Sequence, residues 1–435
     1  MKYIKFFVIA IVSILLLSLN ACSSDSKVLQ KPKILSITNG QSIQSAIDKS
    51  KPGDLVLIEP GKYSGSIVIK TKDITLRGLD RNSVIIDGSY EQDNGIIVAS
   101  DGVRIENLTV QKFRDNGVLI QGGYEYPNNI STKNPKKTSN ISSAIERFSV
   151  QYINANSNGI SGISSSLAKN GVIENTFTYA NAKAGIYIGQ CKPCNIDVDN
   201  NYATFNGLGF QGENSASELY VYQNEFTNNQ SGIYLLNDSN NKEVFQGNTV
   251  IAANLVSNNN NEDAPNINPD IFGYGVVIAG GTSNSIVGNS IIDHIVGGII
   301  LTSQKDFLPM NNKISENFIG KQKKNLVGNG AIDIQYFISG RPNVMSLGNC
   351  FKDNTFGSSN IEKIESVLTS QGARPGPFAA SFRPKSKTKT PPVYSSINLS
   401  EITEPQMPGD LKQLPKQIVK ILSPDLTLLK VPTSK

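Results

Sequence analysis

The chain has 435 residues, with 41 Lys and Arg against 36 Asp and Glu, and a formal net charge of +5. The positive charge is concentrated at the two ends of the chain. Ten Lys or Arg and four Asp or Glu occur from Arg374 onwards, and Lys2 and Lys5 precede the first apolar run, which leaves the rest of the chain near −3. The basic total is therefore no sign of nucleic-acid binding, and we expect no nucleic-acid partner.

The first residues have the layout of an export signal. After two lysines comes a 14-residue apolar run, Phe6–Leu19, which is too short to span a bilayer. The run closes with Leu19-Asn20-Ala21-Cys22, which resembles a bacterial lipobox. The resemblance implies that residues 1–21 are removed and that Cys22 carries a lipid that anchors the exported protein to the cell envelope. Plain secretion with an incidental cysteine is the alternative. We expect residues 22–37 to form a tether.

The next segment predicts one helix followed by short strands. Ser42 is placed to cap a short amphipathic helix within Gln41–Ser50, because apolar residues follow it at helical spacing. Short apolar runs bounded by Pro, Gly, Asp or Asn come next, and they predict the strands Leu55–Ile58, Ile67–Ile69, Ile74–Leu76 and Val84–Ile86.

A cassette of an Asn, seven residues and a Gly recurs in the middle of the chain. It occurs as Asn154–Gly162, Asn201–Gly209 and Asn224–Gly232, and residues such as Ile196 and Leu219 correspond at a spacing of 23 residues. A fixed period of short β-like runs predicts a stacked solenoid. We expect the Asn side chains to stack into a hydrogen-bonded ladder, and the glycines to supply the positive φ of tight corners.

These features together resemble a known superfamily. The stretch Ile43–Gly88, with its helix and its Pro-Gly turns, resembles the opening of the right-handed parallel β-helix, or pectin-lyase-like, superfamily, and the later cassettes resemble its repeats. The resemblance implies an all-β fold, a right-handed parallel β-helix solenoid of about ten to twelve coils over residues 38–357. The N-terminal helix would cap the first coil, and a Pro-rich tail, 358–435, would follow. Lyases, hydrolases, epimerases and adhesins share this fold, so the resemblance leaves the activity open.

Two polar stretches interrupt the period, Tyr124–Ala144 and Asn258–Phe272. We interpret both as loops that leave the stack. Long loops on a rigid scaffold often carry binding or catalytic residues, so both stretches are candidates for the border of a site.

Strand alternation predicts which side chains point away from the stack. Asp197 and Asp199 point outward, and Tyr220 and Tyr222 lie above them on the next coil, which predicts an exposed patch of two carboxylates and two rings. Residues two apart on a strand are about 6.6 Å apart. That spacing is admissible for the carboxylate pair of a glycosidase, so Asp197 and Asp199 are the candidate catalytic residues.

A second strand places Tyr187, Gln211 and Tyr234 outward on three successive coils. Aromatic faces beside amides and carboxylates suit sugars, so we predict that these three residues, with Tyr220 and Tyr222, bind carbohydrate. The alternative is that the tyrosines serve only cross-strand packing. The Gly-His-Gly of pectin-type hydrolases and the Asp-Pro-His-Asp of β-helix alginate epimerases do not occur in the sequence.

The cysteines predict neither a cofactor nor a metal site. Cys191 and Cys194 are close together in an exported chain, so we expect a local disulfide or an inert thiol pair. Zinc needs four ligands, and only Cys350 and His294 remain for it in the body of the chain.

The sequence thus predicts a cell-envelope lipoprotein that binds an extended polysaccharide, and it leaves open whether the protein also modifies that polysaccharide. Its expected partners are a polysaccharide or another envelope component, and the membrane through the lipid on Cys22. Two alternatives stay open. The protein is a non-catalytic adhesin or envelope scaffold, or it is a polysaccharide lyase or hydrolase.

Overall fold

The computed structural model describes residues 32–125, 136–137, 144–238, 244–265, 269–320, 331–338 and 347–369. The export signal, Cys22 and most of the Pro-rich tail lie outside these ranges, so the statements about them stay predictions. Across the ranges that are described, no helix is long and apolar enough to cross a membrane.

Almost every element is a short strand. The strands of the first part of the chain are β1 Ile34–Ile37, β2 Leu55–Ile58, β3 Gly61–Ser64, β4 Ile67–Ile69, β5 Thr75–Gly78, β6 Val84–Asp87, β7 Ile96–Val98, β8 Arg104–Gln111, β9 Val118–Gln121, β10 Tyr124–Glu125, β11 Lys136–Lys137, β12 Ile145–Glu146, β13 Ser149–Asn156, β14 Ser161–Ser166, β15 Ala168–Lys169, β16 Gly171–Glu174 and β17 Phe177–Tyr179.

The strands of the second part are β18 Ala184–Cys191, β19 Ile196–Asp199, β20 Tyr202–Thr204, β21 Leu208–Tyr222, β22 Glu225–Thr227, β23 Ser231–Leu236, β24 Gly247–Ala252, β25 Leu255–Ser257, β26 Tyr274–Ala279, β27 Ser285–Val287, β28 Ser290–Ile292, β29 Gly297–Thr302, β30 Lys313–Ser315, β31 Phe318–Gly320, β32 Ile332–Phe337 and β33 Cys350–Lys352. The helices are α1 Ile43–Lys49, α2 Ile364–Thr369 and a 3-10 turn, Pro269–Ile271.

Of the described strands, 29 stack into three parallel sheets, and successive coils add a strand to each of them. The other four form two separate pairs, β10 with β11 (antiparallel) and β12 with β15 (parallel). Sheet 1 contains β1, β2, β5, the start of β8 and of β13, β16, β19, the end of β21, β24, β27, β30 and β33. Sheet 2 contains β3, β6, the end of β8 and of β13, β17, β20, β22, β25, β28 and β31. Sheet 3 contains β4, β7, β9, β14, β18, the start of β21, β23, β26, β29 and β32.

This topology confirms the predicted parallel β-helix. The register pairs Ile196 with Leu219 and Val198 with Val221, as the 23-residue spacing predicted, and all four side chains are buried. Inward aliphatic columns of this kind form one core along the solenoid, because burial of apolar surface favours the stacked state.

The solenoid extends beyond both of its predicted boundaries. β1 lies within the stretch 22–37 that the sequence assigned to a tether, and it pairs along its length with β2. α2 lies within the predicted tail, and its Ile364 is fully buried in the core. Both segments are short and flanked by polar residues, so their apolar side chains form too weak a sequence pattern to predict a strand or a helix. The side chains are buried only because the neighbouring coil packs on them.

α1 forms where the sequence predicted a helix. The Ser42 hydroxyl caps it by accepting a hydrogen bond from the Ser45 backbone N–H. The Gln44 side chain exchanges two hydrogen bonds with the backbone of Val68 in β4, at 3.0 and 2.8 Å. The apolar face of the helix joins the core through Ile43, Ala46 and Ile47.

Two long columns of Asn side chains, buried except for the partly buried Asn354, confirm the predicted ladder. In each column the Nδ2 group of one Asn donates to the Oδ1 atom of the equivalent Asn on the next coil, at 2.9–3.0 Å. The first column contains Asn201, Asn224, Asn254, Asn289, Asn317 and Asn354, and the second contains Asn158, Asn181, Asn206, Asn229 and Asn259. Each buried amide is thereby satisfied, which avoids the cost of an unpaired polar group.

The two ladders end on different residues. Asn354 donates its backbone N–H and its Nδ2 group to Glu365 of α2, at 2.9 and 3.0 Å, so a carboxylate closes the first column. Ser257 pairs with Ile292, which places His294 at the position that follows Asn259 in the second column. The His294 Nε2 atom is 3.2 Å from the Val256 carbonyl oxygen, the contact that Asn259 makes one coil earlier with Phe226.

The glycines of the cassette are required by close packing. An added Cβ atom on Gly162, Gly209 or Gly232 would lie 2.9, 2.8 or 2.5 Å from the carbonyl oxygen of the glycine on the next coil. None of these three glycines has a positive φ. The expectation that they supply left-handed corners was therefore wrong. Positive φ in these coils occurs at other residues, among them Asn175, Asn200, Phe205 and Asn228.

The Asn ladder yields a stability prediction. We expect Asn224→Ala to lower the urea midpoint of unfolding by an amount equivalent to about 2 kcal/mol or more, because it leaves the amides of Asn201 and Asn254 without their ladder partner. Unfolding followed by circular dichroism measures this. The matched control is Asn39→Ala at an exposed position, and equal midpoints for the two variants would contradict the role of the ladder.

His294 yields a pH prediction. Burial lowers its pKa from 6.5 to about 4, so the folded state holds it neutral while the unfolded state takes up a proton. Above pH 6.5 His294 is neutral in both states, so it does not lower the free energy of unfolding. As the pH falls from 6.5 to about 4, protonation of His294 in the unfolded state alone makes unfolding more favourable. The free energy of unfolding should decrease by roughly 1.4 kcal/mol per pH unit in that window. We expect His294→Asn, which continues the Asn column, to show a shallower dependence; parallel curves for both proteins would refute this.

Candidate functional site

Three of the predicted binding residues form one row on the outer face of sheet 3. Register pairs Ser164 with Tyr187, Tyr187 with Gln211, and Gln211 with Tyr234. The two tyrosines belong to an apolar cluster that is separate from the core of the solenoid. Because neighbouring strands are about 4.8 Å apart, the row from Ser164 to Tyr234 spans about 14 Å along the solenoid axis.

Two clefts open on this face. The first has a volume of about 440 Å³ and is lined by Leu119, Ser164, Lys183 and Tyr187, among others. The second, of about 390 Å³, is lined by residues that include Lys183, Gln211, Glu213 and Tyr234. Lys183 lines both clefts, so they adjoin at this residue. The row from Ser164 to Tyr234 therefore runs past both of them.

Each of the two predicted loops borders one of the clefts. Tyr124, at the start of the first loop, lines the first cleft. Ile271, in the 3-10 turn of the second loop, lines the second cleft. The second loop is also held to the stack, because the Gln230 side chain donates to the Ala264 carbonyl oxygen at 2.9 Å. Both interruptions therefore border a cleft, and the expectation that they border a binding site stays a prediction.

Lys183 and Glu213 connect the polar groups of the two clefts. The Lys183 ammonium is 5.0 Å from the centre of the Tyr187 ring and 3.7 Å from a Glu213 carboxylate oxygen. Gln211 donates from Nε2 to the same Glu213 oxygen at 2.9 Å. Burial, together with the charge of Glu213, raises the pKa of Tyr187 and raises that of Tyr234 to about 12, so both hydroxyls stay neutral near pH 7.

These side chains are less exposed than the sequence predicted. Gln211 is 2% exposed and Tyr234 is 8% exposed, while Tyr187 is half-buried. The physical reason is the stacking itself, since each outward side chain lies between its equivalents on the coils above and below. The row therefore presents only a small part of each of these side chains to the clefts.

The second predicted patch lies on a different sheet. Register on sheet 1 pairs Asp197 with Tyr220 and Asp199 with Tyr222, as predicted, and places Glu174 next to Asp199. The prediction that this patch is exposed was wrong, because Asp197, Asp199 and Tyr222 are only 5–7% exposed and Tyr220 is half-buried. The rings of one coil cover the carboxylates of the coil before it. Tyr234 belongs to sheet 3, so the structure does not bring it together with Asp197.

The charged groups of sheet 1 are engaged with one another. Glu106 forms ion pairs with Arg77 and with Arg104, the second at 3.1 Å. Glu174 accepts a hydrogen bond from Gln151 at 2.6 Å. Burial, and then the charges of Asp199, Asp197 and Glu174, raise the pKa of Tyr222. Neither cleft of sheet 3 includes Asp197 or Asp199 among its lining residues.

One carboxyl group away from the clefts has a pKa that is raised into the neutral range. Burial raises the pKa of Glu225 to about 7. Glu225 lies on sheet 2, where it pairs with Tyr202, and the Tyr202 ring stacks on Phe177 at 5.5 Å. This position is on neither cleft, so Glu225 has no part in the candidate site.

The cysteines and the metal-ligand types are placed as follows. Cys191 and Cys194 form a disulfide, and Cys350 is buried and reduced. Among the residues that the structure describes, no group of three or more His, Cys, Asp and Glu side chains could hold a metal ion.

The sequence prediction missed several residues that line the clefts. They share one position, two residues before a glycine that lies just before or just after the first residue of a strand of sheet 3, and they are Asp93, Asp115, Ile160, Lys183, Gly207 and Gln230. The cassette could have identified this position. It was overlooked because the prediction considered only side chains within strands.

Comparison with known proteins agrees with the fold. The family model described as "Right handed beta helix region" matches residues 67–250 and 139–319. These ranges cover more than half of the chain, so it belongs to the right-handed β-helix family. No curated protein matches the chain.

Several solved structures resemble it. The A-module of the Azotobacter vinelandii mannuronan C-5 epimerase AlgE6 is 16% identical, with a TM-score of 0.51 over 73% of this chain and 92% of that one. Pectate lyase Pel9A is 14% identical, with a TM-score of 0.38 over 76% and 78%. The Dettilon tailspike protein is 13% identical, with a TM-score of 0.47 over 75% and 68%. At these identities the likeness shows the fold alone.

Proposed function

We propose that the protein binds an extended polysaccharide along the outer face of sheet 3, with the two adjoining clefts as subsites. One observation carries the proposal. Tyr187, Gln211 and Tyr234 are aligned by register on successive coils, and together they line both clefts. The named activities of the structural neighbours, which include a mannuronan epimerase and a pectate lyase, are consistent with a polysaccharide ligand.

The geometry of the row favours a linear polymer. Register-aligned side chains recur about every 4.8 Å along the axis, so a ligand made of repeated units meets one outward residue of the row on each coil. The tyrosines offer apolar ring surface and neutral hydroxyls, and Gln211 offers an amide. Sugars need this combination, because their CH groups pack on rings while their hydroxyls both donate and accept hydrogen bonds.

Binding is supported better than catalysis. The candidate catalytic pair, Asp197 and Asp199, is buried on sheet 1 and does not line either cleft. A glycosidase needs two carboxyl groups on opposite sides of a bond in the bound chain. The pair on sheet 1 has no such access to a polymer on sheet 3.

We expect the double variant Tyr187→Ala with Tyr234→Ala to bind its polysaccharide at least about tenfold more weakly, because it removes one tyrosine ring from each cleft; tenfold corresponds to about 1.4 kcal/mol. Affinity electrophoresis in gels that contain single polysaccharides measures this. Tyr220→Ala on sheet 1 is the matched control and should bind normally, with circular dichroism to check the fold of each variant.

Two outcomes would count against the proposal. Equal binding by the double variant and the control would place the ligand elsewhere. A wild-type protein that binds no polysaccharide of a broad panel would exclude polysaccharide binding, and would favour the alternative of an adhesin or scaffold that contacts proteins.

The proposed place of action is the cell envelope, and its support is the lipobox-like Leu19-Asn20-Ala21-Cys22. A protein held there by several acyl chains would stay with the membrane, whereas one acyl chain gives only marginal binding. We expect Cys22→Ala to move the protein from the membrane fraction to the soluble fraction, measured by immunoblotting. Ser23→Ala is the control, and retention of both variants in the membrane fraction would contradict lipid anchoring at Cys22.

A further inference from the structure

We propose that the clefts of sheet 3 select a glycan that has no acidic groups and exclude polyuronates. This inference rests on the proposed function, because it names the class of polysaccharide that the same site takes. It concerns the charge and the hydrogen-bonding character of the groups that line the two clefts.

Carboxylates outnumber ammonium groups among the described lining residues. Asp93 and Asp115 line the first cleft, Glu213 and Asp238 line the second, and Lys183 lines both. The Lys183 ammonium is within 3.7 Å of Glu213 and so neutralises a charge that is already in the site. Arg114, which is half-exposed, approaches Asp93 at 3.9 Å. Even with Arg114 included, the acidic groups are in excess.

The excess of carboxylates gives the clefts a negative potential, which raises the pKa values of several groups that line them. After burial, the charge of Asp93 is the main cause that raises the pKa of Asp115. The charges of Glu213 and Asp238 contribute to the raised pKa of Tyr187, and those of Glu213 and Asp270 contribute to that of Tyr234. A potential that opposes ionisation of these groups also opposes the approach of a ligand carboxylate.

The hydrogen-bonding groups of the site point to a ligand that donates. Gln211 is 2% exposed and lines the second cleft, and its Oε1 atom is buried without a hydrogen-bond partner in the structure. Carboxylates accept hydrogen bonds and do not donate them. Glycan hydroxyl, amide or ammonium groups would satisfy both the Gln211 oxygen and the carboxylates, whereas a uronate carboxylate adds one more acceptor.

The test uses matched pairs of polymers that differ only in whether each unit carries a carboxylate or a hydroxymethyl group. Polygalacturonate, polymannuronate and polyglucuronate are each compared with their carboxyl-reduced forms, in which CH₂OH replaces every carboxylate, alongside uncharged glucans and chitosan. We expect the wild-type protein to bind the non-acidic polymers at least tenfold more tightly than any polyuronate in affinity electrophoresis, and added salt to narrow the difference.

The isosteric variant Asp115→Asn with Glu213→Gln removes one carboxylate from each cleft. We expect it to reduce the preference for the non-acidic member of each pair by at least threefold, while Asp48→Asn on α1 leaves the preference unchanged. Asp48 is exposed and lies far along the chain from the clefts. A preference that the double variant leaves intact would show that the cleft carboxylates do not set it, and would overturn the inference.

The remaining outcomes separate this inference from the function on which it rests. Wild-type protein that binds a polyuronate as tightly as its carboxyl-reduced form, or more tightly, would overturn the charge selectivity and leave polysaccharide binding in place. Binding to no polymer in either set would overturn the proposed function, and the selectivity with it.

Discussion

Hydrogen bonding between equivalent positions of successive coils is the constraint on which the rest of this molecule depends. The parallel ladders hold each residue opposite its equivalent one coil away, at about 4.8 Å. Inside the coil, this register brings Asn201, Asn224 and Asn254 close enough for their amides to bond to one another. At the corner, it brings the carbonyl oxygen of Gly232 so close to Gly209 that no side chain fits there.

The same constraint creates the candidate site. Side chains that point away from the stack are aligned by register just as strictly as those inside. Tyr187, Gln211 and Tyr234 therefore form a row on the outer face, although they are not part of the core. The residues just before the cassette glycines, such as Lys183, form the neighbouring wall of the clefts. The repeated architecture thus places one outward residue of the row on each coil, as the proposed polymeric ligand requires.

The internal part of the fold was predictable from local pattern. Ile196 and Val198 alternate with polar residues and recur 23 residues later, and apolar side chains with that pattern have no other place to be buried. The Asn columns were predictable for the same reason. The glycine explanation failed because Gly209 has an ordinary backbone conformation, and the restriction comes from an atom 23 residues away.

The candidate site was predictable only in part. The outward direction of Asp197, Tyr220, Tyr187 and Tyr234 followed from alternation, but their exposure did not. Exposure depends on which side chains of neighbouring coils and loops cover a residue. The alternation of side chains along one strand does not show which neighbouring side chains cover them. It also does not show that the two predicted rows belong to separate sheets.

The sequence by itself therefore determined the repeat, the parallel β-helix, the inward columns and the register of the outward rows, because these depend on interactions with a fixed period along the chain. Only the tertiary structure decided that Asp197 and Asp199 are buried on sheet 1, and that the clefts lie on sheet 3 between Tyr124 and Ile271. It also decided that the clefts carry an excess of carboxylates. These properties arise where the loops that interrupt the repeat pack against the stack. The distances between such segments depend on tertiary packing, which a local sequence pattern does not predict.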